Sequence, residues 1–400
     1  MRTGFANFEI PEQGEQTPKL SRCGACGLAR QCHSPRMPVT GSGEKKILFV
    51  AEAPGADEDQ QGVQLVGDAG KLLRRVLHGI GEELDDCWKT NAVICRPPRN
   101  EIKDIYIESC RPNLLRTIAE LKPTVIVLLG LSAVQSLVRT EWKREIGLLG
   151  RWVGWKIPSS CHGSWICPTY HPSYLNRMNE NPVLMRMLSE HIEAAFKLER
   201  QGPPQNTPLD ALKSQVEIVL DRRAARKKMR ALARKSGILA FDYETTGLKP
   251  DDPKQRIVSC AFCLDGKETW ACMIDETMHR ALSAVLRNKK LLKVASNIKF
   301  EERWTLAKLG HPVAGWDHDT MLEAHIQDNR RGITSLKFQA YVLLGIGDYE
   351  SSVAPFLKAQ GGNGLNRIRG LPPEELLLYN GLDARLEYEV MKIQRQRRIS

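Results

Sequence analysis

Residues 201–208 read QGPPQNTP: three prolines, a glycine and polar side chains, with no apolar periodicity. Proline and glycine in that density interrupt helices and strands alike, so the 400-residue chain is expected to divide here. On each side, short continuous apolar runs alternate with segments of helical periodicity, the pattern of α/β layered domains with mostly parallel sheets. In the first half the runs are KKILFVA (Lys45–Ala51), TVIVLLG (Thr124–Gly130) and WICPTYHPS (Trp165–Ser173). Helices are predicted over Asp68–Gly79, Asp104–Leu121, from Ser132 onward, and over 182–200. In the second half ILAFDYETTGL (Ile238–Leu248) reads as a buried strand, followed by the meander RIVSCAFCL and ETWACMI. Helices are predicted over Thr277–Asn288, Phe300–Leu309, Asp319–Asp328 and Pro372–Arg397. The boundaries expected are a first domain over 1–200, a linker with one helix over 201–235, and a second domain over 236–400.

Charge is unevenly placed. Of the net +11, residues 1–200 carry 26 basic and 23 acidic side chains, and residues 201–400 carry 32 and 24. The segment Arg222–Lys235 holds eight basic residues and no acidic one, so the second half is neutral without it. Such a run is either a phosphate-contacting element or a solvated face of a spacer helix. Its candidate contacts are Arg222, Arg223, Arg226, Lys227, Lys228 and Arg230. With 42% hydrophobic residues the chain is too apolar for disorder to dominate. No apolar run approaches the ~20 residues of a spanning helix, and MRTGFANFEIPEQGEQ lacks the apolar core of a secretion signal. A cytoplasmic location without membrane association is therefore expected, and eleven cysteines, an odd count, argue against a disulfide framework.

Two constellations carry chemistry. Asp242 and Glu244 lie two apart at the end of an apolar strand, so both project from one face. Two carboxylates forced together in apolar surroundings call for cations, and Mg²⁺ or Mn²⁺ are the hard oxygen-loving choices. Downstream stand NIKFE (Asn297–Glu301) and YNGLDA (Tyr379–Ala384), where Tyr379 and Asp383 are one helical turn apart. This ordered set resembles the proofreading 3′→5′ exonucleases of the tyrosine-containing DEDD type, as in the DNA polymerase I family. The resemblance covers 236–400 and implies a ribonuclease-H-like fold. It implies that Asp242, Glu244 and Asp383 ligate two metal ions and that Tyr379 orients the attacking water. Glu301 stands where that family usually has aspartate, which keeps a carboxylate but lengthens its arm by one methylene.

In the first half, Cys23 and Cys26 form a CxxC, with Cys95 and Cys110 downstream. Four thiolates from two distant segments suit a [4Fe–4S] cluster or a tetrahedral zinc, with Cys32 as a rival fourth ligand. EAPGADEDQQG follows the first strand, TNAVICRPP surrounds Asn91, and HPSYL contains His171. Together with the cysteines, these resemble the iron–sulfur uracil-DNA glycosylases of the family 4 type and imply their three-layer α/β fold. The resemblance implies that Asn91 hydrogen-bonds a flipped uracil and that His171 stabilises charge on the departing base. It further implies that Glu58 positions water or stabilises the sugar cation, and that Glu52, Ala53 and Gly55 line the pocket. Ser173 would contact DNA phosphate. Leu65 stands where the family places a phenylalanine that stacks on uracil, a loss of about 1–3 kcal/mol of stacking.

The two resemblances in one chain match bacteriophage-type replication proteins that join such a glycosylase-like module to a family A polymerase. The sequence ends 17 residues after Asp383, so polymerisation by this chain alone is not expected; it resembles the front portion of such a polymerase, either split from a separate polymerase subunit or standing alone. The rival expectation is an exonuclease whose first domain only binds DNA and recruits a partner.

Overall fold

In the computed structural model, which describes residues 25–359, 361 and 364–399, the apolar runs form the centres of two sheets. The chain divides into two compact units. The first runs to Thr140 and resumes over Cys167–Pro203; the second comprises Glu141–Ile166 and everything from Pro204 onward.

The first unit opens with β1 (Ile47–Ala51), all five residues buried, followed by α1 (Ala56–Gln61) and α2 (Asp68–Gly79). Then come β2 (Trp88–Asn91), α3 (Asp104–Leu121), β3 (Val125–Leu129) and α4 (Leu131–Val138). β1 pairs in parallel with both β2 and β3, with Ala51 opposite Asn91. β4 (Ile157–Ser159) is antiparallel to the first part of β5 (Ser164–Thr169), which lies next to β3 in the sheet order. α5 (Pro172–Arg177) and α6 (Pro182–Gln201) complete the unit.

The second unit adds α7 (Leu209–Lys213), β6 (Val216–Val219) and α8 (Arg222–Leu232) before β7 (Gly237–Thr245), β8 (Ile257–Leu264) and β9 (Glu268–Met273). α9 (His279–Leu286), β10 (Leu291–Ala295), α10 (Ile298–Leu309), β11 (Trp316–Asp319) and α11 (Thr320–Gln327) follow. The last helices are α12 (Leu336–Leu344), α13 (Ala354–Leu357) and α14 (Pro373–Ile399). The sheet order is β11-β10-β7-β8-β9-β6, with the expected antiparallel meander β7–β8–β9 at its centre.

β7 alternates strictly. Leu239, Phe241 and Tyr243 face a core shared with Ala225, Met229 and Leu232 of α8 and with α9. Ala240 faces the other way, against Leu377 and Ala384 of α14. The segment 201–235 is thus not a spacer: β6 pairs with β9, and α8 buries an apolar stripe in the second unit's core.

The expected first-domain boundary also shifts, because Glu141–Ile166 packs into the second unit. Trp152, fully buried, stacks edge-on against Phe338 at 5.3 Å and donates its indole N–H to the Ile146 carbonyl at 2.7 Å. Trp142 joins it at 5.9 Å and lies 5.5 Å from Tyr341. Removing a buried tryptophan leaves a cavity that its neighbours refill only partly, at about 3–5 kcal/mol. Trp152→Ala should therefore destabilise the second unit, read by faster hydrogen exchange over 336–344 and a lower second-unit melting temperature. Unchanged exchange there would contradict this packing.

Candidate active sites in the two units

In the second unit, β7 and α14 bring Asp242, Glu244 and Asp383 together, with ligand oxygens all within 4.8 Å of one another. Asn380, one turn before Asp383's own, donates from Nδ2 to Asp242 Oδ2 at 2.6 Å. Its Oδ1 is held in turn by the Ser259 hydroxyl at 2.8 Å. Asp383 accepts from the Tyr349 hydroxyl at 2.5 Å and is ion-paired with Lys337. Lys337 Nζ lies 4.5 Å from the ring centres of both Tyr349 and Tyr379. Tyr379 is buried on the same face of α14 as Asp383, and its hydroxyl has no hydrogen-bond partner among the described residues.

Burial, with Asp383 and Asp242 adding repulsion, pushes the Asp242 and Glu244 carboxyls well above the usual carboxylate range. Glu301 is 2% exposed and pushed up in the same way by burial and by Asp242; its Oε2 has no partner among the described residues. It lies outside the group of three, though close enough to feel Asp242 and Glu244. Several buried carboxylates with one lysine between them form a donor set that fits hard divalent cations. Beside Glu244 opens a cavity of about 610 Å³, lined by Tyr243, Leu248, Phe300, Leu357 and Asn366 among others. Lys337, Tyr349 and Asn380 were not singled out in the sequence. Asn380 sits inside the YNGLD motif, whereas Lys337 and Tyr349 stand at no telling spacing.

The basic helix is placed differently from its position in sequence. α8 covers the face of β7 opposite to Asp242 and Glu244, so it does not flank the carboxylates. Two of its candidate contacts are engaged internally. Arg222 pairs with Asp275 at 3.0 Å, while Lys228 binds Glu217 at 2.6 Å and lies over the Trp270 ring. Arg223, Arg226, Lys227 and Arg230, joined by Arg234, line an open groove and have no ion pair among the described residues.

In the first unit, the loops that follow the strands carry the candidate pocket. Asn91 ends β2 and is 3% exposed, with Nδ2 buried and unpartnered among the described residues. The next strand position across, Glu52, accepts from the Ser132 N–H at 3.0 Å, at the start of α4. Gly130 makes this possible, because its φ is +92° and a Cβ there would sit 2.7 Å from the Glu52 carboxyl carbon. His171 caps α5: its Nδ1 accepts from the Ser173 N–H at 3.2 Å and from the Ser173 hydroxyl at 2.8 Å. A backbone N–H only donates, so Nδ1 carries no proton and the neutral ring carries it on Nε2. Burial lowers the His171 pKa, which favours that neutral form, against the pull of Glu52. The Ser173 hydroxyl also accepts from Arg177 at 3.2 Å, so it serves the histidine rather than standing free for phosphate.

Glu58 is committed to the backbone. It accepts from Gly55 N at 3.0 Å, Val66 N at 3.1 Å and Gly67 N at 2.9 Å. These bonds tie the turn before α1 to the loop carrying Leu65, which is 4% exposed and held at φ +55°. Ala53, in the same loop as Glu52, packs against the apolar cluster that contains Cys95 and Cys110, with Cys26 and Cys32 at its edge. Cys23 lies outside the described residues. Burial drives the Cys95 thiol up to about 12, with Cys32, Cys110 and Cys26 adding to the effect, and the Arg36 N–H donates to its sulfur at 3.2 Å. Thiols gathered around an apolar cluster are the donor type of a soft metal centre; Cys26 and Cys32 both lie at its edge, and among the described residues no three of the thiols stand within 4.8 Å of one another.

One unit thus gathers a buried asparagine, a glutamate and a capping histidine at its strand ends near several thiols, and the other a group of three carboxylates. The model of the uracil DNA glycosylase superfamily matches residues 38–197, and that of the 3′-5′ exonuclease family matches 216–396. The type-4 uracil-DNA glycosylase of Thermotoga maritima is 36% identical over 183 residues, 44% of this chain and 89% of that protein. That of Archaeoglobus fulgidus is 39% identical over 207 residues, 48% and 96% of the two chains. The chain belongs, through its first part, to the type-4 uracil-DNA glycosylase family, fused to a 3′-5′ exonuclease domain of ribonuclease-H-like fold.

Charge-assisted bonds to three backbone amides at Glu58 are worth about 1.5–3 kcal/mol each in gross terms, part of which water returns on truncation. Glu58→Ala is expected to cost about 2–4 kcal/mol of first-unit stability and to loosen the Leu65 loop. Denaturant unfolding measures the first, and amide exchange at Val66 and Gly67 the second; protection as in the parent protein would refute the clamp.

Proposed function

We propose that this protein excises uracil from DNA with its first unit and trims DNA 3′ ends with its second. The observation that carries the first half is Asn91: a buried amide whose Nδ2 has no internal partner. A buried donor left unpaired is costly, and a base entering the pocket satisfies it. The amide is complementary to uracil, with Nδ2 donating to O4 and Oδ1 accepting from N3–H. The neutral His171 points Nε2–H toward base oxygen O2, where negative charge grows as the C1′–N1 bond breaks. Water adds to C1′, and the base leaves with the bonding electrons. Because Glu58 is engaged by three backbone amides, the carboxylate that takes the water's proton on the sugar side is Glu52, whose second oxygen has no partner among the described residues. Leu65 offers an aliphatic floor, so we expect weaker base binding than an aromatic would give.

Cys26, Cys95 and Cys110, with Cys23 or Cys32, would hold an iron–sulfur cluster whose part is to brace the Ala53 wall of the pocket. In the second unit, Asp242, Glu244 and Asp383 would hold two divalent ions. When bound, these supply water activation and leaving-group stabilisation. Asn380 fixes the Asp242 carboxylate, Tyr349 and Lys337 fix Asp383, and the Tyr379 hydroxyl is free to hold the water. The cavity beside Glu244 is of a size for a terminal nucleotide, with Phe300 and Leu248 as apolar walls. Uracil removal joined to 3′ trimming suits a protein working beside a separate polymerase, as in bacteriophage-type replication.

Incubation with a 3′-labelled and with a uracil-containing oligonucleotide, with and without EDTA, tests both halves. Alkali-cleavable abasic sites should form in EDTA and vanish with Asn91→Ala, whereas 3′ trimming should stop in EDTA and with Asp242→Ala. Absence of abasic sites with the parent protein would make the first unit a binding module only.

For the α8 groove we propose contact with the DNA backbone at a distance from the carboxylates. Replacing Arg223, Arg226, Arg230 and Arg234 by glutamine should flatten the slope of log K against log salt by up to ~4. An unchanged slope would leave α8 as a solvated helix face.

A further inference from the structure

The carboxylate centre extends one helical turn further than its motifs. β10 runs parallel to β7 in the register Leu291↔Gly237 to Val294↔Ala240, and two residues on this sets Ser296 level with Asp242. The Ser296 N–H donates to Glu387 Oε1 at 2.9 Å. Glu387 follows Asp383 by four residues on α14, as Asp383 follows Tyr379, so the three share one face of the helix. Glu387 is 1% exposed and its Oε2 has no partner among the described residues. Glu301, in the first turn of α10, is buried to nearly the same extent with its own Oε2 unpartnered. The Asp242 oxygen that Asn380 occupies is Oδ2, which leaves Oδ1 open. No lysine or arginine bonds Glu301 or Glu387 among the described residues, because the one cation at the centre, Lys337, is spent on Asp383.

Two buried glutamates, each with a bare oxygen and no counter-charge, mark a place for a cation rather than a structural contact. We propose that Glu387 is a fifth acidic group of the centre and that, with Glu301 and Asp242, it helps to hold a divalent ion; Glu301 and Glu387 stand outside the 4.8 Å grouping of Asp242, Glu244 and Asp383, so the ion would draw them in. The proposal rests on the reading of the second unit as a divalent-cation nuclease. Electrostatic neighbours agree with the placement: burial and then Asp242, Glu301 and Asp383 push the Glu387 carboxyl up.

The test is Mn²⁺ binding to the full chain, followed by electron paramagnetic resonance of free Mn²⁺, with thermal melting in EDTA as a second readout. The parent protein should bind two Mn²⁺. Glu387→Gln should lose one equivalent or weaken it by about tenfold or more, on the scale of lost metal-site partners. The same variant should melt higher than the parent in EDTA, since a neutral amide replaces an uncompensated buried carboxylate. Glu387→Asp, which keeps the charge and retracts it, should fold like the parent and weaken one site by several-fold. Two unaltered Mn²⁺ sites in both variants, with Asp383→Asn losing binding, would overturn the role of Glu387 alone. A parent protein that binds no Mn²⁺ would overturn it together with the nuclease reading.

Discussion

Like-charge repulsion inside a sheet is the constraint on which the second unit is built. β7 must be apolar on one face to hold α8 and α9, yet it carries Asp242 and Glu244 on the other, under α14. A buried carboxylate beside another is costly without counter-charge, and among the described residues Lys337 is the one cation paired with the group. The surrounding architecture limits rather than removes that cost. Asn380 and Ser259 form a relay that fixes Asp242, and Tyr349 with Lys337 clamps Asp383. The residual repulsion is what gives the site affinity for cations, because stability forgone in the metal-free protein returns as binding free energy.

The first unit differs, in that its candidate groups are mixed: a neutral histidine and an asparagine amide beside the Glu52 carboxylate. Its groups stand where strands run out: Glu52 after β1, Asn91 at the end of β2, Gly130 after β3 and His171 after β5. Such positions put side chains on loops while their backbones stay anchored in the sheet. The histidine tautomer follows from Ser173 alone, since a backbone N–H dictates which nitrogen accepts. Glu58 and Leu65 then form one mechanical piece, with three amide bonds holding the loop whose backbone Gly70 lets α2 approach.

Much of this was legible in the residues, and the failures have a common cause. The D-x-E pair and the one-turn spacing in YNGLD could be read from local periodicity at the end of an apolar run, whereas Asn91 and His171 were singled out only through the family resemblance of the segments around them. Lys337, Tyr349 and Glu387 reach their places only through the packing of α12 and α14, and no spacing in the sequence encodes that. α8 shows a further limit: it directly precedes the strand that carries the carboxylates, yet a strand has two faces and α8 lies on the other. The resemblance gave Glu58 the part of positioning water or stabilising the sugar cation; that it also holds three backbone amides depends on loop geometry that sequence does not carry. The loop of polar residues at 201–208 was visible, whereas the excursion of Glu141–Ile166 into the second unit was not.

That excursion changes what a domain boundary means in this chain. The polypeptide passes between units three times, after Thr140, after Ile166 and after Pro203, and β5 begins in one unit and ends in the other. A single cut at 203–204 therefore separates the second unit's Trp142 and Trp152 from Phe338 and Tyr341, which they pack against at 5.3–6.1 Å. Exposed together, those rings would make an apolar patch of the kind that drives association in solution. Two modules that a family comparison reads as beads on a string are, in chain path, interleaved. Selection on the exonuclease core then acts on residues inside the matched glycosylase segment, and substitutions in 141–166 are constrained by a partner far away in sequence.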